Sequence, residues 1–221
     1  MNDLSDEALM RCYQSGDTDA FDRLFVRHAR DLYVTLCGLL GQEDGAIGLS
    51  SQTWQRAHQR RSAFTGQPPF RLWLFALAAE LHREHARTQP VPVSQAGEPR
   101  PVLNANSPLH ALGALPLRYR EVFVLHHYAG LSFSETAAAL RASPAAVQQR
   151  AEQAEHLLIS RQGKLPDKVL LPVAPTALDH IARSVLPVVS QPAPTKWPLP
   201  VVVSCLLFGL GLVFFVVRLH R

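Results

Sequence analysis

The sequence predicts an all-α protein with two small helical domains and, at its C-terminus, a helix able to cross a membrane. Three observations carry that prediction. Apolar residues recur at three- and four-residue steps through residues 4–88 and again through 109–162, the period of amphipathic helices. Between these stretches, residues 89–108 (QPVPVSQAGEPRPVLNANSP) hold five prolines and no period, the composition of a linker. Residues 197–217 (WPLPVVVSCLLFGLGLVFFVV) contain no charged side chain, and Lys196 and Trp197 border them on one side and Arg218, His220 and Arg221 on the other.

In chain order, Ser5 followed by Asp6 and Glu7 reads as an N-cap with acids in the first turn, ahead of Leu9, Met10 and Tyr13. Asp17 or Thr18 caps a second helix. Its apolar face runs through Ala20, Phe21, Leu24, Phe25, His28, Leu32, Leu36 and Leu39, and it ends at Gly41. A third helix is expected over residues 49–62, a turn at Gly66-Gln67-Pro68-Pro69, and a fourth helix over 70–87. Residues 1–88 thus form the first domain, 89–108 the linker and 109–162 the second domain. Residues 163–196 are proline-interrupted and include an amphipathic stretch at 176–186. There Thr176 and Asp179 have capping-box spacing, and Leu178, Ile181, Ala182, Val185 and Leu186 share a face. This helix is expected either on the second domain or at a membrane surface, and its sequence does not choose between them.

The overall charge of +4 is unevenly spread: −1 through residue 89, zero over 90–110, +1 over 111–163 and +4 beyond. A near-neutral folded part is weak for a protein that binds nucleic acid mainly through phosphates, whereas the basic tail suits an anionic membrane surface. No apolar segment opens the chain, so no cleavable signal is expected. The expectation is a single-pass inner-membrane protein with its N-terminal domains facing the cytoplasm. Cys12, Cys37 and Cys205 lack metal-site spacing, and Cys12 and Cys37 fall on apolar helical faces as buried thiols. His126-His127 and the scattered histidines have no acid partners at ligand or triad spacing. No catalytic residue, metal or cofactor is therefore expected.

The second domain carries the most specific local signal. Ser132 and Glu135 form a capping box that starts a short helix ending near Leu140. After Arg141-Ala142, Ser143 and Pro144 restart a helix as N-cap and N1, with Val147, Ala151, Ala154, Leu157 and Leu158 on its buried side. Two helices so joined read either as a helix-turn-helix, the second entering the major groove, or as a plain helical hairpin.

The stretch LPLRYREVFVLHHYAGLSFSETAAALRASPAAVQQR closely resembles region 4 of extracytoplasmic-function sigma factors of the sigma-70 family. Leu115-Pro116, Arg118, Arg120 to Phe123, Leu125, Tyr128, Gly130 to Ser132, Glu135, Ala137, Leu140, Val147 and Arg150 fall on the family pattern. Gly16-Asp17, Ala20-Phe21, Leu24-Phe25, Leu32-Tyr33, Phe64, Phe70-Arg71, Trp73-Leu74, Ala78 and Arg87 resemble region 2. The resemblance implies a bacterial transcription initiation factor whose partners are core RNA polymerase and promoter DNA, with an anti-sigma or other regulatory protein as a further partner.

It also implies site residues. The recognition helix would present Ser143, Ala145, Ala146, Gln148, Gln149, Arg150 and Gln153 to the −35 element. Region 2 would present Arg71, Arg83, His85 and Arg87 to the −10 element. Glu43, Asp44, Leu49, Gln52, Thr53 and Trp54 would meet the polymerase.

The departures from the family lie on these surfaces. Gly45 to Ser51 stand where an acidic stretch is usual. Ala76, Ala79 and Glu80 replace promoter-facing residues, and Glu80 and Glu84 are placed to pair with Arg83 and Arg87. Gln148, Gln153 and Glu155 replace basic residues, and Glu152 and Glu155 bring charge of the phosphates' own sign. The alternative is a sigma-like, membrane-anchored adaptor that acts through protein contacts without promoter binding.

Overall fold

The computed structural model describes residues 4–88, 107–166 and 173–189, all within one compact unit, residues 1–190. The helices are α1 (Asp6–Gln14), α2 (Thr18–Leu40), α3 (Ala46–Gln59), α4 (Phe70–Thr88), α5 (Pro108–Gly113), α6 (Leu117–Phe123), α7 (Phe133–Leu140), α8 (Pro144–Gln162) and α9 (Pro175–Val189).

Local chemistry sets most boundaries where the sequence puts them. The Ser5 hydroxyl accepts from the Ala8 N–H at 3.2 Å, and Asp17 rather than Thr18 caps α2. Gly41 closes α2 in the left-handed region at φ 70°. The third helix starts three residues before the expected Leu49, because Gly45 takes φ 81° and turns the chain into Ala46. It stops at Gln59, and a single 3-10 turn, Arg61–Ala63, fills the rest of the expected span.

Helix α2 is the central element of α1–α4. Its buried face meets α1, α3 and α4. Trp54, fully buried, sits edge-on to Phe21 (5.5 Å between centroids) and tilted against Phe25 (5.1 Å). Asp6 fixes α1 to α2 by accepting from Arg27 at 2.8 Å and pairing with His28 at 2.6 Å.

Helices α6, α7 and α8 enclose a small core of Val122, Ala137, Val147 and Ala151. Helix α6 runs on into a π turn, Val124–Tyr128, which packs against α2, while α7 packs against α4 and α5 against α2. Gly38 admits the π turn: a Cβ there would meet Val124 and Tyr128 at 3.1 Å. The first and second helical groups therefore share one apolar core.

Helix α9 resolves the alternatives left open for residues 176–186 with a third outcome: it packs on α3 and α2. It is longer than expected, and Thr176 lies within its first turn, after the helix has started at Pro175. The expectation of a single-pass inner-membrane protein, and with it the membrane as a partner, is corrected. No helix among the described residues is long and apolar enough to cross a membrane. Residues 197–217, on which that expectation rested, lie outside the described residues, as do Cys205 and most of the 89–108 linker.

Candidate nucleic-acid interface

Helices α7 and α8 form a helix-turn-helix. The Ser132–Glu135 capping box is complete: the Glu135 N–H donates to Ser132 Oγ at 3.3 Å, and the Ser132 N–H donates to Glu135 Oε2 at 2.8 Å. Hydrogen bonds from the Ser132 hydroxyl and N–H hold the Glu135 carboxyl below its usual range. Arg141 takes φ 54°, a left-handed conformation rare outside glycine, and so makes the tight corner. Ser143 then caps α8, its Oγ accepting from the Ala146 N–H at 3.3 Å.

This geometry turns one face of α8 inward through Val147, Ala151, Ala154 and Leu158. The opposite face leaves Ser143, Ala145, Gln148, Gln149 and Gln153 exposed, with Ala146 and Arg150 half-buried. Arg118 and Tyr119 of α6 join Gln149, Arg150 and Gln153 around a concavity of about 320 Å³. The Arg118 guanidinium lies 4.7 Å over the Tyr119 ring and donates to its hydroxyl at 3.1 Å. Arg118 was legible as a family-pattern residue, but its place beside the recognition helix depends on how α6 crosses α8.

The two acids on α8 are less obstructive than their sequence positions suggest. Glu155 turns to His127, 2.9 Å from its Nε2, and Glu152 accepts from Gln148 at 3.3 Å.

The region 2 candidates are not gathered on one free surface. Arg71 donates twice to the Ala129 carbonyl, at 3.0 and 2.6 Å, and meets Asp31 at 3.4 Å. Arg83 donates to the Ala139 carbonyl at 3.3 Å and lies 3.7 Å from Glu121. Both guanidiniums thus bind the α5–α8 group. His85 is half-buried and Arg87 exposed. Glu80 and Glu84 pair across to α3, not with Arg83 and Arg87 as expected: Arg60 forks onto Glu80 at 3.1 Å, and Arg56 meets Glu84 at 3.3 Å. The Arg60 hydrogen bonds hold the Glu80 carboxyl below its usual range.

Of the polymerase candidates, Glu43, Asp44 and Gln52 are exposed, while Leu49, Thr53 and Trp54 are buried packing residues. The buried three therefore shape α3 from within. Among the described residues no cluster of His, Cys, Asp or Glu is arranged to hold a metal ion.

A capped helix-turn-helix whose second helix shows a polar, glutamine-rich face has the geometry of units that lay that helix in the major groove. The comparisons give its kind: residues 109–157 match the family described as Sigma-70, region 4. The chain is similar to the RNA polymerase sigma factor NccH of Alcaligenes xylosoxydans xylosoxydans, 28% identical over 167 residues, covering 67% of this chain and 90% of that one. It is also similar to CnrH, solved in complex with the cytosolic domain of CnrY, with a TM-score of 0.57, 27% identity and coverage of 72% and 97%. The sigma factor RpoE, solved with the anti-sigma factor NepR from Bartonella quintana, shares the fold (TM-score 0.52, 21% identity, coverage 63% and 94%).

Residues 109–157 thus match a sigma-70 region 4 domain, and the chain is similar to sigma factors over about two thirds of its length. The chain is in that sense sigma-factor-like, and its region 4 match includes the helix-turn-helix of α7 and α8.

Proposed function

We propose that this protein directs core RNA polymerase to promoters, with residues 1–88 as its region 2 domain and 109–162 as its region 4 domain. The carrying observation is the exposed face of α8. There Gln149 and Gln153 are open to base edges, Gln148 is exposed beside them with its amide on Glu152, and Arg150 and Arg118 flank them for phosphates. Glutamine pairs in two-point fashion with adenine N6 and N7, so adenine-containing −35 elements fit this face. The polymerase would meet Glu43 and Asp44, exposed just ahead of α3, and Gln52, exposed midway along it.

The −10 element would be met by Arg71, Arg83, His85 and Arg87 once α5–α8 swing away, since Arg71 and Arg83 are occupied while the two groups are packed together. CnrH and RpoE were each solved with a protein bound, and we extend that kind of regulatory partner, an anti-sigma protein, to this chain.

The occupied guanidiniums favour a second reading, a sigma-like adaptor that keeps the packed form and never opens. Selection of duplexes from a random library by the protein–polymerase complex separates the two. Initiation predicts enrichment of a two-part site, weakened by Arg150→Ala. No enrichment, with Arg150→Ala indistinguishable from wild type, leaves the adaptor.

A further inference from the structure

Helix α9 is built to be held. Ala177, Ile181, Val185 and Val189 recur every four residues and are 4%, 0%, 0% and 3% exposed. Leu178, Ala182 and Leu186 flank this stripe, packed against the same core. The opposite face, with Thr176, Asp179, His180 and Arg183, is exposed.

The seat of the helix is specific. Ser51 Oγ and Ser184 Oγ are 2.7 Å apart, and the Gln55 side-chain amide donates to the Ser184 carbonyl at 3.4 Å. Ser51 and Gln55 lie one turn apart on α3, and Gln52, an exposed polymerase candidate, is the immediate neighbour of Ser51. Ser51 ends the uncharged run Gly45 to Ser51 that stands where the family's acidic stretch is usual, so α9 meets a hydroxyl there instead of a charge. Gly45, Ile47, Gly48 and Gln52 stay exposed beside it, and polymerase would be kept off by the bulk of α9. A charged flank would have to be desolvated by such a helix.

We propose that this flank of α3 is a helix-docking surface whose occupant is the chain's own α9, and that α9 competes there with core RNA polymerase. The proposal rests on the sigma reading and adds to it a mask carried in cis. Residues 163–174 join α8 to α9, so docking is intramolecular and a modest contact area suffices to keep the flank covered. Polymerase then sees only the uncovered fraction of molecules. A mask in place nine-tenths of the time weakens apparent binding about tenfold.

The test uses the full chain and purified core polymerase, with affinity read by fluorescence anisotropy. Ile181→Asp places a charge at the centre of the stripe and should release α9, raising core affinity about tenfold; faster hydrogen exchange along α9 reports the release. A second form, Ser51→Cys with Ser184→Cys in a background of Cys12→Ser and Cys205→Ser, allows a disulfide where the two hydroxyls now meet. Oxidised, it should bind core at least tenfold more weakly than the same protein reduced. Equal binding by wild type, the released form and the oxidised form overturns the mask and leaves the sigma reading standing. Absence of core binding in every form, with α9 released by exchange, overturns the sigma reading and the mask with it.

Discussion

Gly41→Ala measures how tightly the second helical group is seated on the first. Gly41 sits at the C-terminus of α2 with φ 70°, and a Cβ there would lie 2.3 Å from Gly113 Cα and 2.7 Å from its nitrogen. Both are backbone atoms of α5, so no rotamer change relieves the clash. Carbon atoms in contact normally stand about 3.5–4.0 Å apart, so α5 must move by more than about 1 Å. The left-handed backbone costs an alanine ~1 kcal/mol, and forced overpacking adds about 1–3 kcal/mol.

Gly163→Ala isolates the first contribution. Gly163 ends α8 at φ 73°, and a Cβ there meets nothing within 4 Å. For a chain of this size each kcal/mol lowers Tm by roughly 2–4 °C. Gly163→Ala should therefore melt about 2–4 °C below wild type and Gly41→Ala about 5–15 °C below it, in thermal unfolding followed by circular dichroism. Equal losses in the two variants would refute the close approach of α5 to the end of α2.

Other expectations follow from single contacts. Burial acts to raise the Asp6 carboxyl, but Arg27 and His28 outweigh it and hold the group below its usual 3.8. Its contribution is complete above that value and is lost as pH falls through the lower, folded one. Asp6→Asn should cost about 1–2 kcal/mol near neutrality and much less in acid, read from urea midpoints across pH 2–7. Burial pushes the Cys37 thiol up to about 12, so iodoacetamide at pH 8 should label half-buried Cys12 and spare Cys37 until the protein unfolds, by mass spectrometry. Ser132→Ala removes the cap of α7 and should cost about 1 kcal/mol in urea denaturation. Arg150→Ala should weaken promoter-duplex binding and lower its salt slope by about one unit in a titration from low to high salt.

The caps and period were readable because they are local. Ser5, Asp17, Ser132 with Glu135, and Ser143 with Pro144 each act on backbone within four residues of themselves, and each helix starts where its cap puts it. The start of α3 was missed because it depends on Gly45 turning through positive φ, for which a lone glycine gives no direction. At the site, the polar face of α8 followed from the apolar face opposite it.

The partners of Arg71 and Arg83 were not readable. Both bond carbonyls of residues 129 and 139, far along the chain, and carbonyls leave no mark in a sequence. Glu80 and Glu84 illustrate the same limit: spacing on their own helix offered Arg83 and Arg87, but α3 brings Arg56 and Arg60 closer. The amphipathic stripe of α9 was plain, yet an apolar stripe fits any apolar surface, and only the fold assigns it to α3.

The most direct test of the account is run-off transcription by purified core polymerase supplied with this protein, as wild type and as Ile181→Asp, on templates carrying the selected two-part site. A transcript of defined start that requires the protein, strengthens with Ile181→Asp and weakens with Arg150→Ala is the predicted result. No protein-dependent transcript from either form would contradict it.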